Sequence, residues 1–276
     1  MLAELLERDA TGDIAAIYEQ IRRLWGVPYV SSLPRHLATR AGWLEWAWAA
    51  LGPAFASGTA QAAAWRAADG LAVPRLAPVS RDALAVWGVD AAGLAAIRAA
   101  CASFVRVSPV NLVLSGLLRR LLTGERPAGI ADAPARWMPP APLGPLPPLA
   151  SPTALPLAER AMLASLGTTV SGQVFVPGLY RMLASWPGFL AHVATVLRPH
   201  LDDAATRAAG QKLLAAVDAE IPAVFATLPP LPGSPAMPPA IEFAEVLAAL
   251  DTYRKTSPEM VVFGRMLGDA LPREIS

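Results

Sequence analysis

Cysteine occurs once in the 276 residues, at Cys101. A single thiol excludes an internal disulfide, a CxxC redox pair and a cysteine-rich metal site. A peroxidase-like redox role is disfavoured for the same reason, since Cys101 has no partner thiol. Histidine is also scarce, and His36, His192 and His200 are too scattered for a zinc site, so neither metal nor cofactor is expected. Charged residues make up only 16% of the chain, against about 25% in an average domain. The net charge of +1 leaves no electrostatic footprint for nucleic acid or an anionic membrane. Long apolar runs are missing too. Arg, Asp, Glu, Pro or Gly interrupts each one before the roughly 18–20 residues that cross a bilayer. The opening MLAELLERDATGD lacks the basic–apolar–small order of a secretory signal. A cytoplasmic protein is therefore expected. Finally, no alternating apolar/polar pattern and no Asn-Gly or Asp-Gly hairpin argues for strands, so the expected fold is all-α.

What the chain does have is apolar bulk, 54% of residues, and helical periodicity. In GDIAAIYEQIRRLW, Ile14, Ile17, Ile21 and Leu24 share one face. Thr11 is a candidate N-cap, and Gly26 and Pro28 end the helix. Further helices are expected over about 33–55, 58–70, 81–86 and 91–104. Another opens at Ser108-Pro109 and runs to about Leu122.

One stretch is used twice. Leu37-Ala38-Thr39-Arg40-Ala41-Gly42-Trp43-Leu44 reappears 146 residues on as Leu183-Ala184-Ser185-Trp186-Pro187-Gly188-Phe189-Leu190, and six of nineteen positions over 37–55 are identical. Asp13, Ala15, Ile17 and Gly26 correspond to Glu159, Ala161, Leu163 and Gly172 at the same offset. The stripe Leu94, Ile97, Cys101, Phe104 matches Phe243, Val246, Leu250, Tyr253, and Ser108-Pro109 matches Ser257-Pro258, both offset by 149. A fixed register with apolar positions kept marks a duplicated unit. Two tandem helical repeats are expected, 12–122 and 158–271. The helix expected over 33–55 returns at about 179–201, and a long helix follows over 203–220. Between the repeats, 123–157 carries ten prolines. Proline removes donors and fixes φ, so this stretch reads as a semi-rigid linker. Trp137, Met138 and several leucines suggest that it lies against the body. Two similar units in one chain should pack about a pseudo-twofold axis and enclose a pocket near it.

The pattern Tyr18-Glu19-x-Ile21-Arg22, Val27-Pro28-Tyr29-Val30, Arg35-x-Leu37-Ala38-Thr39, Ala47-Trp48 resembles the group I (DehI-type) 2-haloacid dehalogenases. So do Phe104, Ser108-Pro109 and Leu183-Ala184-Ser185-Trp186-Pro187. The likeness covers nearly the whole chain, in motif order and spacing. It implies an all-α pseudo-dimer with its site between the halves, and hydrolysis of small 2-haloalkanoic acids by directly activated water. The resemblance puts the water-activating Asp of that family at Leu179 and its assisting Asn at Ser108. The pocket Tyr becomes Asn111, the pocket Ser becomes Gly178, the Trp after Val-Pro becomes Tyr29, and a pocket Phe becomes Ser32. Leucine has no lone pair with which to take a proton from water. No Asp or Glu lies between Glu159 and Asp202, so a replacement base would have to come from elsewhere, such as Glu45 or Glu259. The expected function is thus a dehalogenase-like protein with a small-molecule pocket and no hydrolytic dehalogenation. The alternatives are an active hydrolase using another base and a non-enzymatic interaction protein. The expected ligand is a small carboxylic acid or an apolar small molecule, with a second copy of the chain as a candidate partner.

Arg35 and Arg181 are equivalent under the 146 offset. They read either as paired guanidiniums facing a ligand carboxylate or as exposed helix arginines. Ser108-Pro109 and Ser257-Pro258 read as a matched functional pair or, more simply, as N-cap and first residue of two helices. His36 is a candidate base, or a surface histidine without a partner. Trp43, Trp46 and Trp48, and Cys101, are expected in the core.

Overall fold

The structure is a computed structural model and describes residues 3–129, 137–170 and 173–273. The first helix, α1 (Gly12–Trp25), buries Ile17, Ile21, Leu24 and Trp25 and stops at Gly26, whose φ of 62° suits a residue without Cβ. Thr11 occupies the N-cap position, but its side chain makes no capping bond. The single helix expected over 33–55 is two, α2 (Ser32–Leu37) and α3 (Trp43–Ala56), because Gly42 turns the chain at φ 76°. The stretch matched to it 146 residues on breaks the same way into α8 (Gly178–Leu183) and α9 (Pro187–Leu201). There Pro187 starts the new helix, where its missing N–H costs nothing. The other helices are α4 (Thr59–Ala68), α5 (Arg81–Val86), α6 (Ala91–Leu122), α7 (Leu157–Ser165), α10 (Ala204–Ala226) and α11 (Phe243–Ala270).

Two expectations about α6 and α11 need correcting. Neither Ser-Pro pair starts a helix. α6 runs unbroken through Pro109 and α11 through Pro258. An interior proline costs about 3 kcal/mol. The flanking turns offset this by burying Phe104, Val107, Val110, Leu112 and Val113 on α6, and Met260, Val261, Val262 and Phe263 on α11. As one continuous helix, α6 is also long and apolar enough, by length and composition, to cross a membrane. However, 83% of its most apolar window is buried inside the fold.

Among the described residues, the all-α expectation holds except for one small pair of strands. β1 (Thr168–Val170) pairs antiparallel with β2 (Gln173–Phe175), Thr169 facing Val174. Strands of three residues are too short for alternation to show in sequence. Gly172, matched above to Gly26, lies outside the described residues.

The core is one contiguous cluster. Trp25, Trp43 and Trp46 are fully buried, Trp48 nearly so, and Cys101 is buried. α11 packs most extensively on α6. At their crossing a Cβ on Gly264 would stand 3.0 Å from Val105 Cγ2, so glycine permits the approach. The described part of the linker is strapped to the body. Gly129 N–H donates to Leu228 O at 2.9 Å, Leu143 N–H to Gly26 O at 3.2 Å, and Arg106 Nη1 bonds both Gly26 O and Ala141 O. Trp137 lies flat against Gly58, but Met138 points outward at 84% exposure rather than inward as expected. Residues 130–136 of the linker lie outside the described residues.

Candidate ligand-binding site

A cavity of about 60 Å³ lies where α2, α6, α8 and α11 meet. That is space for roughly four water molecules. Of the eight positions singled out in the sequence, six line it: Tyr29, Ser32, Arg35, Ser108, Asn111 and Gly178. Leu179 and Arg181 do not. Leu179 is fully buried in the core beside the cavity. Arg181 is half-buried, and its Nε donates to Ala150 O of the linker at 2.9 Å.

Ser108 and Ser257 both line the cavity at 3% and 7% exposure. The matched pair therefore meets here and caps nothing. The aromatic wall is Tyr29 tilted on Phe104, with ring centroids 5.5 Å apart, and Phe175 edge-on to Tyr253. Ser31 Oγ donates to Asn111 Oδ1 at 2.8 Å, and Tyr253 Oη to Ser32 O at 3.3 Å. Tyr29 Oη is buried with no partner among the described residues. Burial holds the Tyr29 phenol well above its usual range against the lowering field of Arg35, with a smaller push from Glu7; burial and then Glu4 do the same at Tyr253. Both phenols are therefore protonated donors at neutral pH.

The exposed-arginine reading fails for Arg35. It is 7% exposed, lines the cavity, and its Nη2 sits 2.7 Å from Glu4 Oε2. Its Nε is buried without a partner among the described residues. Burial pulls Arg181 below its ordinary range, and Arg181 also lies within the fields of Glu4 and Arg35. His36 is buried at 4% rather than on the surface. Its Nδ1 lies 2.8 Å from Ala3 O. A carbonyl only accepts, so Nδ1 carries the proton. His36 does not line the cavity.

Among the described residues no carboxylate lines this cavity. Glu259 faces a different, open cleft of about 1000 Å³ between α9, α10 and α11, where Thr168 Oγ1 donates to it at 2.8 Å. Glu45 lines neither space. Also among the described residues, no three His, Cys, Asp or Glu side chains gather as metal ligands would.

Sequence reasoning weighed Ser257 as the functional partner of Ser108 but missed Ser31, Leu149, Phe175, Tyr253, Thr256 and Met260 as cavity residues. Of these only the last three carried a signal. Tyr253 matches Phe104 at the 149 offset, and Thr256 and Met260 flank the second Ser-Pro pair.

Comparison with solved structures bears on the fold. A D-2-haloacid dehalogenase mutant superposes with a TM-score of 0.78 at 18% identity, covering 98% of this chain and 96% of that one. A mutant complex with D-2-CPA gives 0.69 at 17% identity, covering 96% of each chain. A complex with L-LA gives 0.63 at 19% identity, covering 98% of this chain and 94% of that one. The chain thus has a group I dehalogenase-like fold over nearly its whole length. No family model and no characterised relative matches the sequence itself.

Proposed function

We propose that the cavity binds a small organic acid or an apolar molecule of similar size, and that the chain does not hydrolyse 2-haloalkanoic acids. The observation that carries this reading is the lack of any carboxylate among the described cavity residues. Direct displacement of halide requires a group that can take a proton from water within hydrogen-bond reach. The nearby phenols are donors, and Leu179 is hydrocarbon in the core. Gly178 supports the reading as well. A Cβ there would meet Phe104 Cζ at 3.0 Å, so the serine implied by the resemblance has little room.

The cavity lies between two helical repeats related by a pseudo-twofold axis. Supporting this, α1–α4 and α7–α10 follow the same order, and α6 and α11 each carry an interior Ser-Pro that reaches the shared cavity. The two solved complexes, with D-2-CPA and L-LA, concern ligands of those proteins.

The test is halide release from 2-chloropropionate by the purified protein, together with melting shifts against short carboxylic acids. We expect no halide and a concentration-dependent shift. Sustained turnover would overturn the reading. The double variant Leu179→Asp, Ser108→Asn is also expected to stay blank. Its new carboxylate would be buried and uncompensated, at a cost of several kcal/mol.

A further inference from the structure

The chain before α1 is stitched to the cavity wall. Leu5 N–H donates to Arg35 O at 3.0 Å, Tyr18 Oη to Leu5 O at 3.1 Å, and His36 Nδ1 to Ala3 O at 2.8 Å. Glu7 holds Val30 N–H at 2.8 Å and Arg22 Nη1 at 2.5 Å. These bonds deliver Glu4 to Arg35, the one charged side chain among the described cavity residues. Both side chains are about nine-tenths buried, at 8% and 10% exposure. Glu4 does not line the cavity itself.

We infer that Glu4 sets the charge preference of the cavity: by neutralising Arg35 it favours a small uncharged hydrogen-bond acceptor, such as an amide, ketone or ester, over a carboxylate. This rests on the reading that the cavity binds a small ligand, and it moves the favoured class from the acid to its uncharged analogue. Arg35 lines the cavity while its Nη2 is engaged by Glu4. Its guanidinium carries further N–H donors that can meet an oxygen entering the cavity. A carbonyl oxygen gains that bond without penalty. A carboxylate gains it too, but comes within a few ångströms of the Glu4 carboxylate, in a site where burial leaves like-charge repulsion weakly screened. Arg181 returns part of the positive field, but it stands outside the lining and its Nε is committed to Ala150 O.

Glu4 could instead act only by orienting Arg35. Glu4→Gln separates the two roles, because glutamine keeps an oxygen acceptor for Nη2 and removes the charge. The experiment measures affinities of propionate and propionamide by calorimetry for the wild type, Glu4→Gln and the double variant Glu4→Gln, Arg35→Gln. We expect the wild type to prefer the amide. In Glu4→Gln propionate should tighten tenfold or more with the amide nearly unchanged, and the double variant should lose the propionate gain. A propionate affinity that is unchanged or weaker in Glu4→Gln, with the amide still bound, overturns the role of Glu4 and leaves the cavity reading standing. If neither compound binds any of the three proteins, the cavity reading falls and this inference with it. Should Glu4→Gln fold poorly, Glu4→Ala provides the same comparison, with the amide affinity reporting cavity integrity.

Discussion

Glu259 illustrates how environment decides what a side chain is for. It is a carboxyl group near the second Ser-Pro, yet it faces the large cleft rather than the Arg35 cavity. Burial raises it above its ordinary value, outweighing the Thr168 hydrogen bond and Lys255. A carboxylate raised on folding contributes stability below its unfolded value and loses it as pH rises through the folded value. At neutral pH the ionised Glu259 is therefore a cost. Glu259→Gln keeps an acceptor for Thr168 and removes the charge, so thermal melting at pH 7 should rise by about 2 °C. The gain should disappear on acidification to about pH 4. A lower midpoint at pH 7 would mean that the Thr168 bond and Lys255 outweigh burial. At this scale the sequence was informative about chemistry and poor about direction. Tyr29, Ser32, Arg35, Ser108, Asn111 and Gly178, which share one cavity, were legible as a set of candidates. That Arg35 is sequestered and His36 buried was not, since both depend on Ala3 and Glu4 returning from more than thirty residues away.

Among the elements, α6 and α11 carry the most. Their crossing depends on Gly264, where Val105 Cγ2 lies 3.0 Å from a would-be Cβ. Gly264→Leu adds a branched side chain where the partner helix stands, so we expect a loss of about 1–3 kcal/mol, read from urea denaturation. An unchanged midpoint would mean the helices are free to separate there. Both helices were readable from their stripes, and their length was not. A proline preceded by serine signals a helix start when the preceding turn is exposed. Here the turns on both sides are buried, and packing keeps the helix going through Pro109 and Pro258. The breaks at Gly42 and Trp186 were lost for the opposite reason, because the apolar rhythm continues across them.

For the molecule as a whole, several bonds tie residues before the proline-rich segment to residues after it. Arg40 pairs with Glu245, Trp43 Nε1 donates to Glu242 and Arg66 pairs with Glu220, each at 2.7 Å. Arg265 bonds Ala68 O and Leu71 O. Together with the α6–α11 contact, these make each half an incomplete core. Residues 1–129 and 130–276 expressed separately should lack cooperative unfolding by circular dichroism, and co-expression should restore a complex of the two. A half that melts cooperatively alone would contradict a shared core. Exposing either long helix strips apolar surface worth about 25 cal/mol per Å².

The sequence by itself determined that the chain is helical, where most helices lie and where a proline-rich segment interrupts them. Those features are local: periodicity, breakers and the chemistry of single side chains are written in residues close together in the chain. Tertiary structure alone decided which residues share the cavity, that a linker leucine and a hairpin phenylalanine close it, and that Glu4 neutralises its arginine. Burial and charge pairing depend on partners distant in sequence, and only folding fixes those distances.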